Sequence, residues 1–253
     1  ISTKTLLHEA IPITGTIVSG TYGTNNIKSY SHGMFQSVYD YPYLSSSANH
    51  IFDISAGYHS TSALSKSSGN SQNAKKINIY NQLAQLCFGY DADGTVKKFD
   101  NDGDFTTTTD TMDGSIFLTF SRLLIKDEIK KGSFALTLGV NPAYATAHAT
   151  NQIKITDKDG ATSYKVNSPA GEYGILYASN SLGTPIHSDK LTGGYAMCGL
   201  VFYQAGIVAL TSFPHYTDRL AQACPTALME CRAGTPVDSG AVRSEVRRQS
   251  GGG

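Results

Sequence analysis

The side chains in this sequence that could move a proton or hold a metal are scattered. The seven histidines, His8, His32, His50, His59, His148, His187 and His215, never stand at the H-x-H or H-E-x-x-H spacing that turns two imidazoles towards one ion. His8-Glu9 begins such a pattern and lacks its second histidine. There is no G-x-S-x-G nucleophile elbow, no G-x-x-x-x-G-K-[ST] phosphate loop and no G-x-G-x-x-G after a strand. The densest run of carboxylates is 99–105, FDNDGDF, where Asp100, Asp102 and Asp104 alternate like the opening ligands of a calcium loop. That loop needs glycine at its sixth position and glutamate at its twelfth, where this chain has Phe105 and Thr111. The plainer expectation is a solvated acidic turn. A triad or a carboxylate pair assembled from distant positions leaves no mark in spacing. No catalytic, cofactor-binding or metal-ligating residue is therefore assigned from sequence, and the expectation is a building block rather than an enzyme.

Aromatic residues are the other candidates. Tyr39, Tyr41 and Tyr43 alternate, so a strand there would put all three on one face. Such a face suits an interface or a ligand platform. A half-buried sheet face whose hydroxyls reach water explains it more simply. Four cysteines are present. Cys87 and Cys198 sit singly in apolar runs and read as small buried hydrophobes. Cys224 and Cys231 stand seven apart in a polar stretch, and spacing alone does not establish a bridge.

The elements that must position these residues are mainly strands. The clearest helical pattern is 74–90, AKKINIYNQLAQLCFGY. Ile79, Leu83 and Leu86, with Tyr80, Ala84 and Cys87, recur at spacings of three and four and are expected on adjoining buried faces. Gly89 is placed to end the helix. A helix this short is marginal alone in water, so it must lie on a sheet. Strands are expected at 51–54, in the apolar run 115–120, in 133–140 and in 173–178. The stretch 195–211 divides at Gln204-Ala205-Gly206 into two strands rather than forming a membrane helix. An Asp-Gly turn is expected at Asp93-Gly94. A hairpin is expected at 152–166, in which Ile153 and Ile155 enter Asp157-Lys158-Asp159-Gly160, and Tyr164 and Val166 leave it. The fold class is thus mainly β within α+β: antiparallel sheets in a sandwich-like arrangement, one principal helix at about 74–88 and a short helical turn at about 123–131.

Composition narrows the partners. The 20 basic residues balance the 20 acidic ones, so nothing in the totals calls for nucleic acid. No uninterrupted apolar stretch is long enough to cross a bilayer, and the opening ISTKTLLHEAIPITG lacks the charged start and apolar centre of a secretion signal. Lysine does not occur after Lys190, whereas five of six arginines (Arg219, Arg232, Arg243, Arg247 and Arg248) follow Phe213. That break divides the chain into a β-rich domain at 1–213, with an extended N-terminal segment, and a loosely ordered extension at 214–253.

Five segments occur in order: FQSVYDYPYLSSSANHIFDIS at 35–55, KKINIYNQLAQ at 75–85, FSRLLIKDEIKKGSFALTLG at 120–139, NSPAGEYGILYAS at 167–179 and GLVFYQAGIVALTS at 199–212. Together they resemble a family of virion structural proteins of contractile-tailed bacteriophages, particularly marine and cyanobacterial phages similar to the T4 group. The stretch after Phe213 departs from the Gly/Ala-rich, apolar text expected of that family. The resemblance implies particle assembly: a homo-oligomer of the tail, neck or baseplate, assembled in the host cytoplasm, with copies of itself and other virion proteins as partners. It brings no cofactor and no catalytic residues. Two alternatives stay open, a receptor- or glycan-binding module resting on the tyrosine cluster, and a cell-wall-degrading enzyme of the particle.

Overall fold

A computed structural model of the chain describes residues 26–39, 41–65, 71–105, 111–121, 128–139, 152–180 and 195–211. The expected domain boundary at Phe213, the extended N-terminal segment, and Cys224 and Cys231 lie outside the described residues. The architecture is α+β: one main helix laid on antiparallel sheet, in a sandwich-like arrangement.

Eleven strands are described: β1 (Ile27–Ser29), β2 (Phe35–Tyr39), β3 (His50–Tyr58), β4 (Phe99–Asp100), β5 (Thr111–Met112), β6 (Gly114–Phe120), β7 (Ala135–Gly139), β8 (Gln152–Thr156), β9 (Tyr173–Asn180), β10 (Ala196–Phe202) and β11 (Ile207–Thr211). Nine of them form one sheet in the order β1-β2-β3-β6-β11-β10-β9-β8-β7, and β4 and β5 form a separate two-stranded ribbon. Every pairing is antiparallel. The central strands are buried on both faces, which is why 115–120 and 207–210 read as unbroken apolar runs. Alternation sorts their side chains. Phe117, Leu200, Phe202, Ile207 and Ala209 face the helix; Ile116, Leu118, Val201, Val208 and Leu210 join the opposite cluster, which also takes in Val38 and Phe52 from one wing and Ile153 and Ile155 from the other.

Helix α1 (Ser71–Phe88) covers one face of this sheet. Ile79, Tyr80, Ala84, Cys87 and Phe88 are its buried residues. At Gly57 in β3 the backbones nearly touch, since a Cβ there would lie 2.8 Å from Tyr80 N and 2.9 Å from Lys76 O. The helix ends at Gly89, which has φ 71° and donates its N–H to Gln85 O at 3.0 Å. Leu86, expected on the buried side, is instead 54 % exposed. At about 100° per residue it sits only about 20° beyond Ile79, just past the edge of the buried arc that runs from Ile79 through Tyr80 to Phe88.

The turn at Asp93-Gly94 forms as expected, closed by the bridge between Tyr90 and Val96, and β10 and β11 pair across residues 203–206. Two expectations are corrected. The hairpin at 152–166 does not form: β8 pairs with β7 on one side and β9 on the other, leaving no edge for Tyr164–Val166 to return to. Tyr164 and Val166 end up exposed, Val166 by 71 %, and Lys165 makes only an isolated bridge to Tyr173. The cause is Asp157, a buried carboxylate at the end of β8 that accepts N–H bonds from Gly132 at 2.7 Å and Phe134 at 2.8 Å, and the Tyr203 hydroxyl at 3.1 Å. It ties that end of β8 to the approach to β7. The second correction concerns Asp100, which is 1 % exposed and not part of a solvated turn. Of the expected helical turn at 123–131, residues 123–127 lie outside the described residues, while 128–131 form a bend leading into a turn.

Candidate functional site

Helix α1 rests on β3 at Gly57, and its buried side chains pack over β6, β10 and β11; the same face of the sheet continues past the helix onto β2 and the other end of β3. Along β2 the residues Phe35 and Ser37 point to that face, because Gln36 and Val38 alternate to the other. Ser37 stands directly opposite Asp53 of β3 and donates its hydroxyl to Asp53 Oδ1 at 2.6 Å. The register then slips: Val38 pairs with Phe52 but Tyr39 pairs with His50. This bulge inserts one residue into β3, so His50 and Asp53, three apart and normally on opposite faces of a strand, turn to the same side. His50 Nε2 lies 2.8 Å from Asp53 Oδ1.

Around this pair the rings form a continuous strip. Tyr30 stacks on His32 with centroids 5.2 Å apart and leans on Phe35 at 5.0 Å. Tyr39 contacts His50 at 5.4 Å and Tyr43 at 6.4 Å. Ser37 Oγ lies 3.3 Å from Tyr30 Oη, joining the two groups of rings, and Lys28 Nζ stands 5.1 Å over the Tyr30 ring. Burial, followed by the neighbouring Tyr30, raises the Tyr39 phenol above its ordinary value, so the hydroxyl stays a neutral donor at physiological pH. The strip offers flat apolar rings edged with hydroxyls, two imidazoles and one carboxylate.

Ser121, just after β6, completes a Ser–His–Asp arrangement: its Oγ is 3.2 Å from His50 Nδ1, on the far side of the ring from Asp53. Geometry of this kind defines hydrolytic triads. Here, however, Ser121 Oγ is closer to two backbone carbonyls, His50 O at 2.6 Å and Ile51 O at 2.8 Å. A carbonyl only accepts, so the single serine proton is directed into the bulge and away from the imidazole. Ser121 N also donates to Ile51 O at 2.9 Å. The serine braces the bulge, and His50 and Asp53 keep their polar edges towards the strip.

Of the expected tyrosines, Tyr39 and Tyr43 come together, and Tyr41 does not share the strand face: β2 ends at Tyr39 and Tyr41 is 52 % exposed. Tyr30, His32, Phe35, His50 and Asp53 were not singled out as a group by sequence. The usable signal was His50-x-x-Asp53 flanking Ile51, which joins one face only if a bulge is assumed. Of the other histidines, His59 packs edge-on to Tyr80 at 5.8 Å, and His8, His148, His187 and His215 lie outside the described residues. Cys87 and Cys198 are buried, as expected, and the Cys198 thiol donates to Leu176 O at 3.5 Å. Among the described residues no three His, Cys, Asp or Glu side chains converge as a metal-binding set, and no helix is long and apolar enough to cross a membrane. Compared with known protein families, curated proteins and solved structures, the chain has no match.

Proposed function

We propose that this chain is a structural component of a tailed bacteriophage particle, in the tail, neck or baseplate region, acting through contacts with copies of itself and with other virion proteins rather than by transforming a molecule. The ordered likeness of five segments between Phe35 and Ser212 supplies the particle context. The observation that carries the contact role is the strip of Tyr30, His32, Phe35, Tyr39, Tyr43 and His50 beside the helix, whose rings are half-buried save the exposed His50. Tyrosine buries much apolar area while ordering few torsions, and its hydroxyl still finds a partner, which is why it is enriched where protein meets protein. A balanced formal charge favours close approach of like copies. Residence in the virion, after assembly in the host cytoplasm, belongs to the same proposal.

Sedimentation of the purified chain, with mass spectrometry of purified particles, tests it. The expected result is a species larger than a monomer whose association weakens at least tenfold in Tyr30→Ala/Tyr43→Ala, with unchanged circular dichroism. A chain that stays monomeric at high concentration and is missing from particles would remove the proposal. A second function is favoured by a separate feature, the partly exposed Asp53 carboxylate and His50 imidazole lying beside the Tyr39 ring, as a sugar's hydroxyls and apolar face require. Glycan-array binding that vanishes in Tyr39→Ala and Tyr43→Ala selects this receptor-binding role, and silence across the arrays counts against it.

A further inference from the structure

The loop that follows β4 holds a buried carboxylate satisfied on one oxygen only. Asp100 Oδ1 accepts N–H bonds from Asp102 at 3.0 Å and Gly103 at 3.1 Å, which is what shapes the loop. Asp100 Oδ2 is buried without a hydrogen-bond partner, and so is Asn101 Oδ1 on the next residue. Asp100 and Asn101 are 1 % and 4 % exposed. Asp102 is the neighbouring carboxylate, and its Oδ1 accepts the Asp104 N–H at 2.8 Å. Two carboxylates side by side, one of them out of water, are costly unless something positive sits between them.

The loop is also held in advance of any ligand. Gly103 has φ 71°, and a Cβ there would come within 2.5 Å of the Tyr173 hydroxyl. That hydroxyl donates to Asn167 Oδ1 at 2.6 Å, and Asn167 Nδ2 donates back to Gly103 O at 3.3 Å. The unpaired oxygens are acceptors fixed in a rigid loop, a poor arrangement for a protein interior but a suitable one for a hard cation.

We propose that Asp100 Oδ2, Asn101 Oδ1 and the Asp102 carboxylate bind a calcium-class cation, with the remaining ligands drawn from loop carbonyls and water. A proton shared by the two aspartates neutralises one charge; the amide oxygen of Asn101, which only accepts, is served better by an ion. The register is not that of the helix–loop–helix calcium motif, as Phe105 and Thr111 show. Nor does the site depend on the assembly role, since it lies in the loop after β4 and not in the aromatic strip.

The test uses the full chain freed of metal by a chelator. Calcium at a hundredfold excess over its dissociation constant is expected to raise the melting temperature by about 5–10 °C. Terbium in its place is expected to luminesce on excitation of tyrosine, because Tyr173 stands at the loop and the chain has no tryptophan to compete. Asp100→Asn and Asp102→Asn are each expected to abolish both responses while the circular dichroism stays native. Absence of a melting shift and of terbium luminescence in the unaltered protein overturns the proposal and leaves a shared proton or a water in the loop. Responses that persist in both variants overturn it too, by placing the ion elsewhere. Should either variant fail to fold, the two measurements on the unaltered chain still decide.

Discussion

At the scale of single residues, the interior is notable for groups that carry a titratable atom into apolar surroundings. Burial pushes the Cys87 thiol up to about 12 from an ordinary 9.0. Burial also raises the phenols of Tyr80 and Tyr203 above their ordinary value, although each hydroxyl is used: Tyr80 donates to Met112 O at 2.7 Å and accepts the Phe99 N–H at 3.0 Å, and Tyr203 donates to Asp157. For such groups the folded state holds the proton longer than the unfolded chain does. Their contribution is complete below the ordinary value and is lost as pH rises through the folded one; for Cys87 the window runs from about 9 to about 12, and the contribution amounts to at most about 4 kcal/mol. The chain is therefore expected to denature cooperatively at alkaline pH, with the tyrosine absorbance at 295 nm rising in step with loss of circular dichroism. At pH 8 a thiol reagent is expected to leave Cys87 unmodified until the chain is unfolded.

At the scale of elements, α1 shows how a helix with weak amphipathicity is oriented by what lies beneath it. Tyr80, Phe88 and Phe99 meet at ring distances of 5.5–5.6 Å, and Phe117 of β6 completes the group at 5.3 Å from Phe99. Gly57 lets the helix backbone settle on β3, and this contact, together with the aromatic cluster, sets which arc is buried. Leu86 falls outside it. Replacing Leu86 by Glu is expected to change unfolding free energy by no more than about 0.5 kcal/mol, as at other exposed positions. Ala84→Leu, which adds volume where Ala84 is fully buried, is expected to cost about 1–3 kcal/mol. Urea denaturation of the two variants separates this orientation from the one that spacing alone would choose.

At the scale of the molecule, stability is graded across the sheet. β6, β10 and β11 lie at its centre with both faces covered, whereas β1 and β7 end the strand order among the described residues. Native-state hydrogen exchange is expected to find the highest protection in β6, β10 and β11 and markedly lower protection in β1, since edge amides open without disturbing the core. A centre covered on both faces with a half-buried aromatic strip at β1–β3 fits the proposed assembly role. The same division would place a change such as Tyr43→Ala at the wing, with little effect on the fold.

Much of this was already written in local text. Residues 115–120, 173–178 and 195–211 announce their strands because a strand buried on both faces must be apolar throughout, and 74–88 announces its helix through spacings of three and four. Gly89 and Asp93-Gly94 mark their own turns, since few other residues accept the backbone angles required there. Pairing was not legible. Which strand fills each edge of β8 depends on β7 and β9, more than a dozen residues away in either direction, so the local hairpin signal at 157–160 was overruled by the long-range bonds of Asp157. The aromatic strip was only partly legible for the same reason. Tyr39 and Tyr43 carried a sequence signal, but the bulge that swings His50 beside Asp53 exists only once β2 and β3 are in register. Local propensity is a property of neighbours along the chain; register and the burial of Asp100 with one oxygen unpaired are properties of neighbours in space, and those exist only after the sheet has closed around them.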